Sequence, residues 1–322
     1  MAINVLKPGL STTVQDLGRP GYYHIGIPTS GGMDMLSLTA ANLLVGNPAG
    51  AAVLEAVVLG PELEFTQDAT VAVTGADLPP KVDGDERAGW TSFTVKKGQV
   101  LSFGFLKAGA RAYIAISGGI DVPVVLGSRS TYTLGALGGF HGRKLQAGDV
   151  LPRGEGAGVD GRSVPAPLRR MPGTPAALRM LPGLYWHRIT EAAGVRFFED
   201  TWKVAPEADR IGYRFKSGHP LEFVPREQPF GAGSDPSNIV DACYPYGSVQ
   251  VPGGTEPIVL HRDAVSGGGY FMVGTVISAD MDLIGQLQPH TPAQFVKVTM
   301  DEALMARKDR QTVLNGIKAA LA

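Results

Sequence analysis

From residue 52 to 151 the chain runs as short β-branched and aromatic blocks, VLEAVV, ELEF, ATVAVTG, TSFTVKKG, VLSFGF and ARAYIAISGG, cut by glycine, proline and aspartate. Such blocks predict strand after strand, not a βαβ series. TSFTVKKGQVLSFG predicts a hairpin turning at Lys97 and Gly98, and a short strand over 3–6 opens the chain. The first half holds one clear helical pattern. Leu36, Ala40, Leu43 and Leu44 recur at i, i+4, i+7 and i+8 and so share one face. Ser30 or Asp34 is suited to cap that helix, and Gly46, Asn47 and Pro48 to end it.

Residues 152–176, PRGEGAGVDGRSVPAPLRRMPGTPA, are dense in proline, glycine and charge and read as a linker. It divides an N-terminal β module, 1–151, from a second, 177–300, with a helix over 301–322. LRMLPG after the linker echoes NVLKPG near the start, as two related β modules would. In the second module the pattern predicts a helix near 187–198 and a strand, turn and strand in WKVAPEADRIGYRF. Further strands are predicted at 248–251, 257–261, 270–277 and 294–298. Leu314, Ile317 and Leu321 give the last helix a narrow apolar stripe, fit to dock on the body or on a partner. The expected architecture is mainly β, barrel or sandwich, with a few helices.

Composition narrows the function classes. The net charge of −1 over 322 residues leaves no strongly basic half, so nucleic acid is not an expected partner. The 43 glycines and 24 prolines are dispersed, as in a protein of many short strands and tight turns. The single cysteine, Cys243, allows no internal disulfide and is read as a small half-buried apolar residue in a reducing compartment. MAINVLKPG lacks the basic head and apolar run of a signal peptide, and no apolar run reaches the ~20 residues of a membrane helix. A cytoplasmic protein without membrane contact is expected.

Several chemistries are absent. There is no Gly-x4-Gly-Lys-Ser/Thr phosphate loop, no dinucleotide glycine fingerprint and no Gly-x-Ser-x-Gly elbow. The 6 histidines show no metal-binding spacing, so no metal is expected. No Met-Lys pair marks a site for covalent biotin; biotin would have to arrive on another polypeptide.

The densest polar stretch is GGIDVPVVLGSRSTYTLGALGGFHGRKLQAGDVL, residues 118–151. Ser128, Arg129, Ser130 and Thr131 follow Gly127; Gly138, Gly139, His141, Gly142 and Arg143 come about one hairpin later. Glycine lets backbone N–H groups approach an anion, and arginine adds forked donors for a carboxylate or phosphate. The same glycines also serve ordinary turns between short strands. Gln15, Asp16 and Arg19 cluster before the Pro20-Gly21 turn, and Asp209, Arg210, Tyr213 and Arg214 offer two arginines that could clamp an anion or face solvent. A later polar loop comprises Gln250, His261, Arg262, Asp263, three glycines from 267 and Tyr270. His261 or Asp263 could move protons if buried near a substrate, or simply make surface hydrogen bonds.

TTVQDLGRPGYYHIGIPTSGGMDMLSLTAANLLVGN, LEAVVLGPELEF, AVTGADL, the 118–151 stretch, DRIGYRF and GSVQVPGGTEPIVL together resemble the KipA-type family, also known as the second subunit of allophanate hydrolase or the C subunit of 5-oxoprolinase. The likeness is collinear over nearly the whole chain. It implies two cyclophilin-like β-barrel subdomains, related to part of the carboxyltransferase region of urea carboxylase, and a substrate cleft between β modules. It implies work beside a KipI-type protein, the B component. In the full 5-oxoprolinase an A component joins them, and ATP hydrolysis is coupled to lactam opening. Late in the chain the family commonly reads Asp-Arg-Gln-Thr-Thr-Gly-Gly-Tyr-Pro. Here residues 261–271 are HRDAVSGGGYF, so a lactam or amide other than 5-oxoproline becomes a possible substrate.

Three functions follow from the resemblance. One is membership of an ATP-dependent amidohydrolase complex acting on a small anionic cyclic amide. Arg129, Arg143 and residues 128–131, including Ser128, Ser130 and Thr131, then contact the anion. Gln15, Arg19 and Asp34 line the opposite wall, with His141, Gln250 and Tyr270 as further binding residues and Asp263 and His261 in proton transfer. The second is transfer of a carboxyl group from carboxybiotin, supplied by another polypeptide, to a urea-like nitrogen. The third is a non-catalytic regulatory partner.

Overall fold

The computed structural model describes residues 2–322. The chain forms two compact units: residues up to Pro20 with Ser30–Met171 and Gln311–Ala322, and Gly21–Thr29 with Pro172–Arg310. The break at 171/172 falls within the stretch read as a linker. Most of that stretch nevertheless belongs to the first unit, where Val164 is fully buried and Ser163 bridges Thr91.

Two antiparallel sheets build the first unit, one of six strands and one of five. Alternation sets their facing sides. In Glu62–Phe65, Leu63 and Phe65 point inward, while Glu62 and Glu64 point out and meet Lys7 and Asn4 of the neighbouring strand Ala2–Lys7, each at 2.8 Å. The inward sides of both sheets share one core that joins Ile3, Leu63, Phe65 and Leu101 to Leu54, Val71, Val73 and Ile114. The five-stranded sheet is buried on its other face too. Its central strands Ala69–Asp77 and Ala108–Ile116 pack Ala72, Tyr113 and Ala115 under the helix Met35–Leu44, with Ile317 of the last helix, Met300–Ala320, and Leu321 just after it in the same cluster. Burial on both faces explains the near-continuous apolar runs of these strands.

The second unit is a closed barrel of seven strands. Closure comes from a parallel pairing of Ala176–Pro182 with Pro292–Lys297, the other neighbours being antiparallel. In Trp202–Val204 the two apolar residues are buried and Lys203 is exposed. The helix Glu191–Glu199 sets Phe197 4.8 Å from Phe295 and 5.4 Å from Trp202. Thr190 caps it by accepting from the N–H of Ala193, so the helix starts later than its pattern predicts, after a 3₁₀ turn over Trp186–Arg188.

The protein is mainly β, as expected, with its closed barrel in the second unit and two facing sheets in the first. Lys97 and Gly98 do turn the chain, with Gly98 at φ +83°. They do not make a hairpin: Ser92–Val95 pairs with Ala69–Asp77, whereas Val100–Phe103 pairs with Glu62–Phe65 in the other sheet. A turn that crosses between facing sheets has the same local chemistry as one within a sheet. Cys243 is exposed, not half-buried, because it ends a two-stranded ribbon, Asn238–Cys243 with Gly267–Tyr270, outside the barrel.

Candidate functional site

In the first unit the structure gathers the two loops that the sequence singled out. Asp16 is the hub. Its carboxylate accepts from Ser128 Oγ at 2.6 Å, Ser130 Oγ at 2.5 Å, the Arg129 N–H at 2.6 Å and the Gly18 N–H at 2.8 Å. Asp16 N–H returns a bond to Ser130 Oγ at 3.0 Å. Gln15 Nε2 donates to Thr13 Oγ1 and to the carbonyl of Thr131, and Thr131 Oγ1 donates to the carbonyl of Val14. Arg19, almost fully buried, donates from its guanidinium to the carbonyl of Ser130. Gly138 and Gly139 lie at positive φ against this cluster. A Cβ on either would collide with Ser130 O and Arg19, or with Thr131, which is why both positions need glycine.

Among the described residues of this unit, Gln15 Oε1 and Ser30 Oγ are buried without a hydrogen-bond partner. Ser30 sits at φ +51°, beside Gly31, whose Cβ would touch Gly18. Buried polar groups of this kind are rare and carry a cost of about 1–3 kcal/mol each.

The remaining first-unit candidates are committed locally. Arg129 donates from Nε to the carbonyl of Val122 at 2.7 Å and pairs with Asp121 at 3.1 Å, with about a third of its side chain still exposed (37%). Arg143 forms a two-pronged bond to Asp149, both arms 2.8 Å, and its guanidinium lies over Phe140. His141, exposed and at φ +56°, packs edge-on against the same ring. Asp34 is the cap of the helix Met35–Leu44, accepting from the N–H and Oγ of Ser37.

Asp34 also joins a second buried network that the sequence reading missed. Its N–H donates to Tyr113 Oη at 2.7 Å, Tyr113 Oη donates to Glu55 Oε2 at 2.9 Å, and Glu55 also accepts from the N–H of Met33 at 2.8 Å. Arg111 lies 3.8 Å from Glu55. Burial, reinforced by the Glu55 charge, pushes the Tyr113 phenol well above its ordinary range, so it stays a donor. The missed signal was a charged residue inside each of two apolar strand blocks, Glu55 in VLEAV and Arg111 in ARAYIAI.

In the second unit Asp263 is held by Arg210 through two bonds, 2.8 and 3.2 Å. His261 is fully buried. The Arg262 N–H donates to Nδ1 at 3.0 Å, which leaves Nε2 to donate to the carbonyl of Met281 at 3.0 Å. Both ring nitrogens are therefore spent on main chain. The Arg262 guanidinium stacks over Tyr246 at 4.5 Å, and Tyr246 Oη is buried without a hydrogen-bond partner. Burial raises that phenol too. Gln250 is buried near Tyr244, and the half-exposed Tyr270 exchanges backbone bonds of 2.8 Å with Tyr244 Oη. Among the described residues no group of three or more His, Cys, Asp or Glu is arranged to hold a metal, and no helix is long and apolar enough to cross a membrane.

Residues 25–297 match the family model described as carboxyltransferase domain, subdomain A and B. The chain belongs to this family. Among carboxyltransferase-domain proteins it is similar to the 5-oxoprolinase C subunit of Escherichia coli, 36% identical over 96% of this chain and 95% of that relative. It is also similar to urea amidolyase of Saccharomyces cerevisiae, 33% identical over 98% of this chain but only 18% of that much longer protein. Among solved structures, the urea amidolyase of Kluyveromyces lactis superposes with a TM-score of 0.92 at 33% identity, over 98% of this chain and 20% of that one.

Proposed function

We propose that this carboxyltransferase-domain protein is the C component of an ATP-dependent amidohydrolase of the 5-oxoprolinase type. It would open 5-oxoproline or a related small lactam together with a KipI-type B component and an A component. The observation that carries this reading is the likeness to the 5-oxoprolinase C subunit, which runs nearly end to end in both chains.

The geometry suits such a role through the Asp16 hub. One buried carboxylate draws Ser128, Ser130 and the Arg129 N–H to a single point, which holds the 128–131 loop rigid beside Arg19. In this reading the exposed part of Arg129 meets the substrate carboxylate, while Arg19 and the N–H groups of residues 128–131, already bonded within the protein, hold the loop in place. Arg143 and Asp34 are framework residues, since their charges are answered by Asp149 and by the helix start. Asp263 and His261 position their loop through Arg210 and the carbonyl of Met281.

The test is ATP hydrolysis by the purified complex of all three components. Turnover should require a lactam and release the ring-opened amino acid, and Asp16→Ala should abolish it while leaving the complex assembled. ATP consumption that ignores every lactam would overturn the reading.

A second reading, carboxyl transfer from carboxybiotin to a urea-like nitrogen, is favoured by the close superposition on urea amidolyase. It requires avidin-sensitive activity with urea-like substrates, whereas the first reading requires insensitivity to avidin. A complex inactive under both conditions would leave the regulatory role.

A further inference from the structure

The ionisable side chains that line one pocket in the second unit are all basic. The pocket's volume is about 290 Å³, and it is bounded by His187, Arg188, Val224 and Arg226. Antiparallel pairing creates it. Ile189 bridges Phe223, and the Val224 N–H donates to the carbonyl of Arg188 at 2.8 Å, so residues 188 and 224 lie opposite each other. Arg226, two residues further on, lines the same pocket. The result brings two guanidinium groups to one pocket, with no carboxylate in its lining.

Like charges brought together at one pocket repel each other, and a pocket that retains such a pair is organised for an opposite charge. The arginines are held by neutral groups. Arg188 lies over the Tyr185 ring at 4.4 Å, and Arg226 donates to the carbonyl of Asn238 at 3.1 Å. His187 Nδ1 is 3.0 Å from the carbonyl of Leu184. Arg188 Nη1 is buried without any hydrogen-bond partner. Burial, followed by the Arg226 charge, lowers the Arg188 pKa from its ordinary value, the direction an anion in the pocket would reverse.

We propose that this pocket binds a phosphate-type dianion, either free or as the end of a nucleotide. Two forked cations without a counter-charge match a group carrying about −1.5 to −2 at neutral pH better than they match a single carboxylate. The inference does not depend on which amide or urea the protein acts on.

Calorimetric titration of the full chain with inorganic phosphate, ATP and acetate, all at one ionic strength, tests it. Phosphate or ATP should bind while acetate does not, and a preference for ATP over phosphate would identify a nucleotide as the source. Arg226→Gln should weaken binding at least about tenfold. The same substitution should raise the melting temperature of the unliganded chain, because it relieves the repulsion on Arg188. Arg188→Gln should behave alike; if that variant does not fold, Arg226→Gln decides alone. Phosphate and ATP binding no better than acetate, or undiminished in Arg226→Gln, would overturn the proposal.

Discussion

Asp16 and Ser130, 114 residues apart in the chain, hold each other twice: Ser130 Oγ donates to the Asp16 carboxylate at 2.5 Å and accepts from the Asp16 N–H at 3.0 Å. With Ser128 added, the carboxylate closes a polar clasp between two glycine-rich loops. Hydroxyls that read in the sequence as ligand contacts are thus donors to an internal anion.

Replacing that anion should be costly. Asp16→Ala leaves the Ser128 and Ser130 hydroxyls and two loop N–H groups without their acceptor, and should destabilise the first unit by about 3 kcal/mol. Asp16→Asn keeps the shape and part of the accepting capacity, and should lose less. Urea unfolding of the two variants measures the difference; equal losses would mean that shape, not charge, makes the clasp.

Gly138 is a sharper probe of the same place. At φ +67°, with Ser130 O where a Cβ would lie, Gly138→Ala is both strained and obstructed by backbone. A loss of about 2 kcal/mol or more is expected, together with loss of complex activity. Gly148→Ala is the control: it also has positive φ, but a Cβ there meets nothing within 4 Å, so only the conformational penalty remains. Equal losses from the two substitutions would remove the case for close packing around Ser130.

Tyr113→Phe removes one hydroxyl from a buried chain that runs from the Asp34 N–H to Glu55. It should cost about 2 kcal/mol, since Glu55 loses a donor and the helix start loses an acceptor, both in a fully buried setting. Calorimetric melting gives the value, and a change below about 0.5 kcal/mol would mean that the network relaxes around the gap.

The Arg143–Asp149 pair predicts a pH dependence. The two bonds from Arg143, assisted by the Gln146 N–H, hold the Asp149 carboxyl below its ordinary value. A folded-state pKa below the unfolded one gives stability that is complete above the unfolded value, about 4, and is lost as pH falls through the folded one. Asp149→Asn should therefore be less stable than wild type at pH 7, by about 1 kcal/mol for a pair at the surface. The gap should close as the pH is lowered below about 4. A gap that stays constant down to the acid transition would count against the pair.

Some of this was legible before any coordinates. The two-residue period of the strand blocks and the spacing of Leu36, Ala40, Leu43 and Leu44 are local properties, and they determined a mainly β protein with a helix at Met35–Leu44. The collinear motifs determined the family. The glycine-flanked polar runs at 15–19 and 128–131 also showed that something polar had to be built there. Only the tertiary structure decided what each polar side chain does. Hydrogen-bond partners are chosen by contacts over long sequence separations, which no local period encodes: Asp16 takes Ser128 and Ser130, and Arg210 takes Asp263. The same reason sent Ser92–Val95 and Val100–Phe103 into different sheets, and brought Arg188 and Arg226 to one pocket through an isolated bridge, Ile189 to Phe223, that neither segment announces alone.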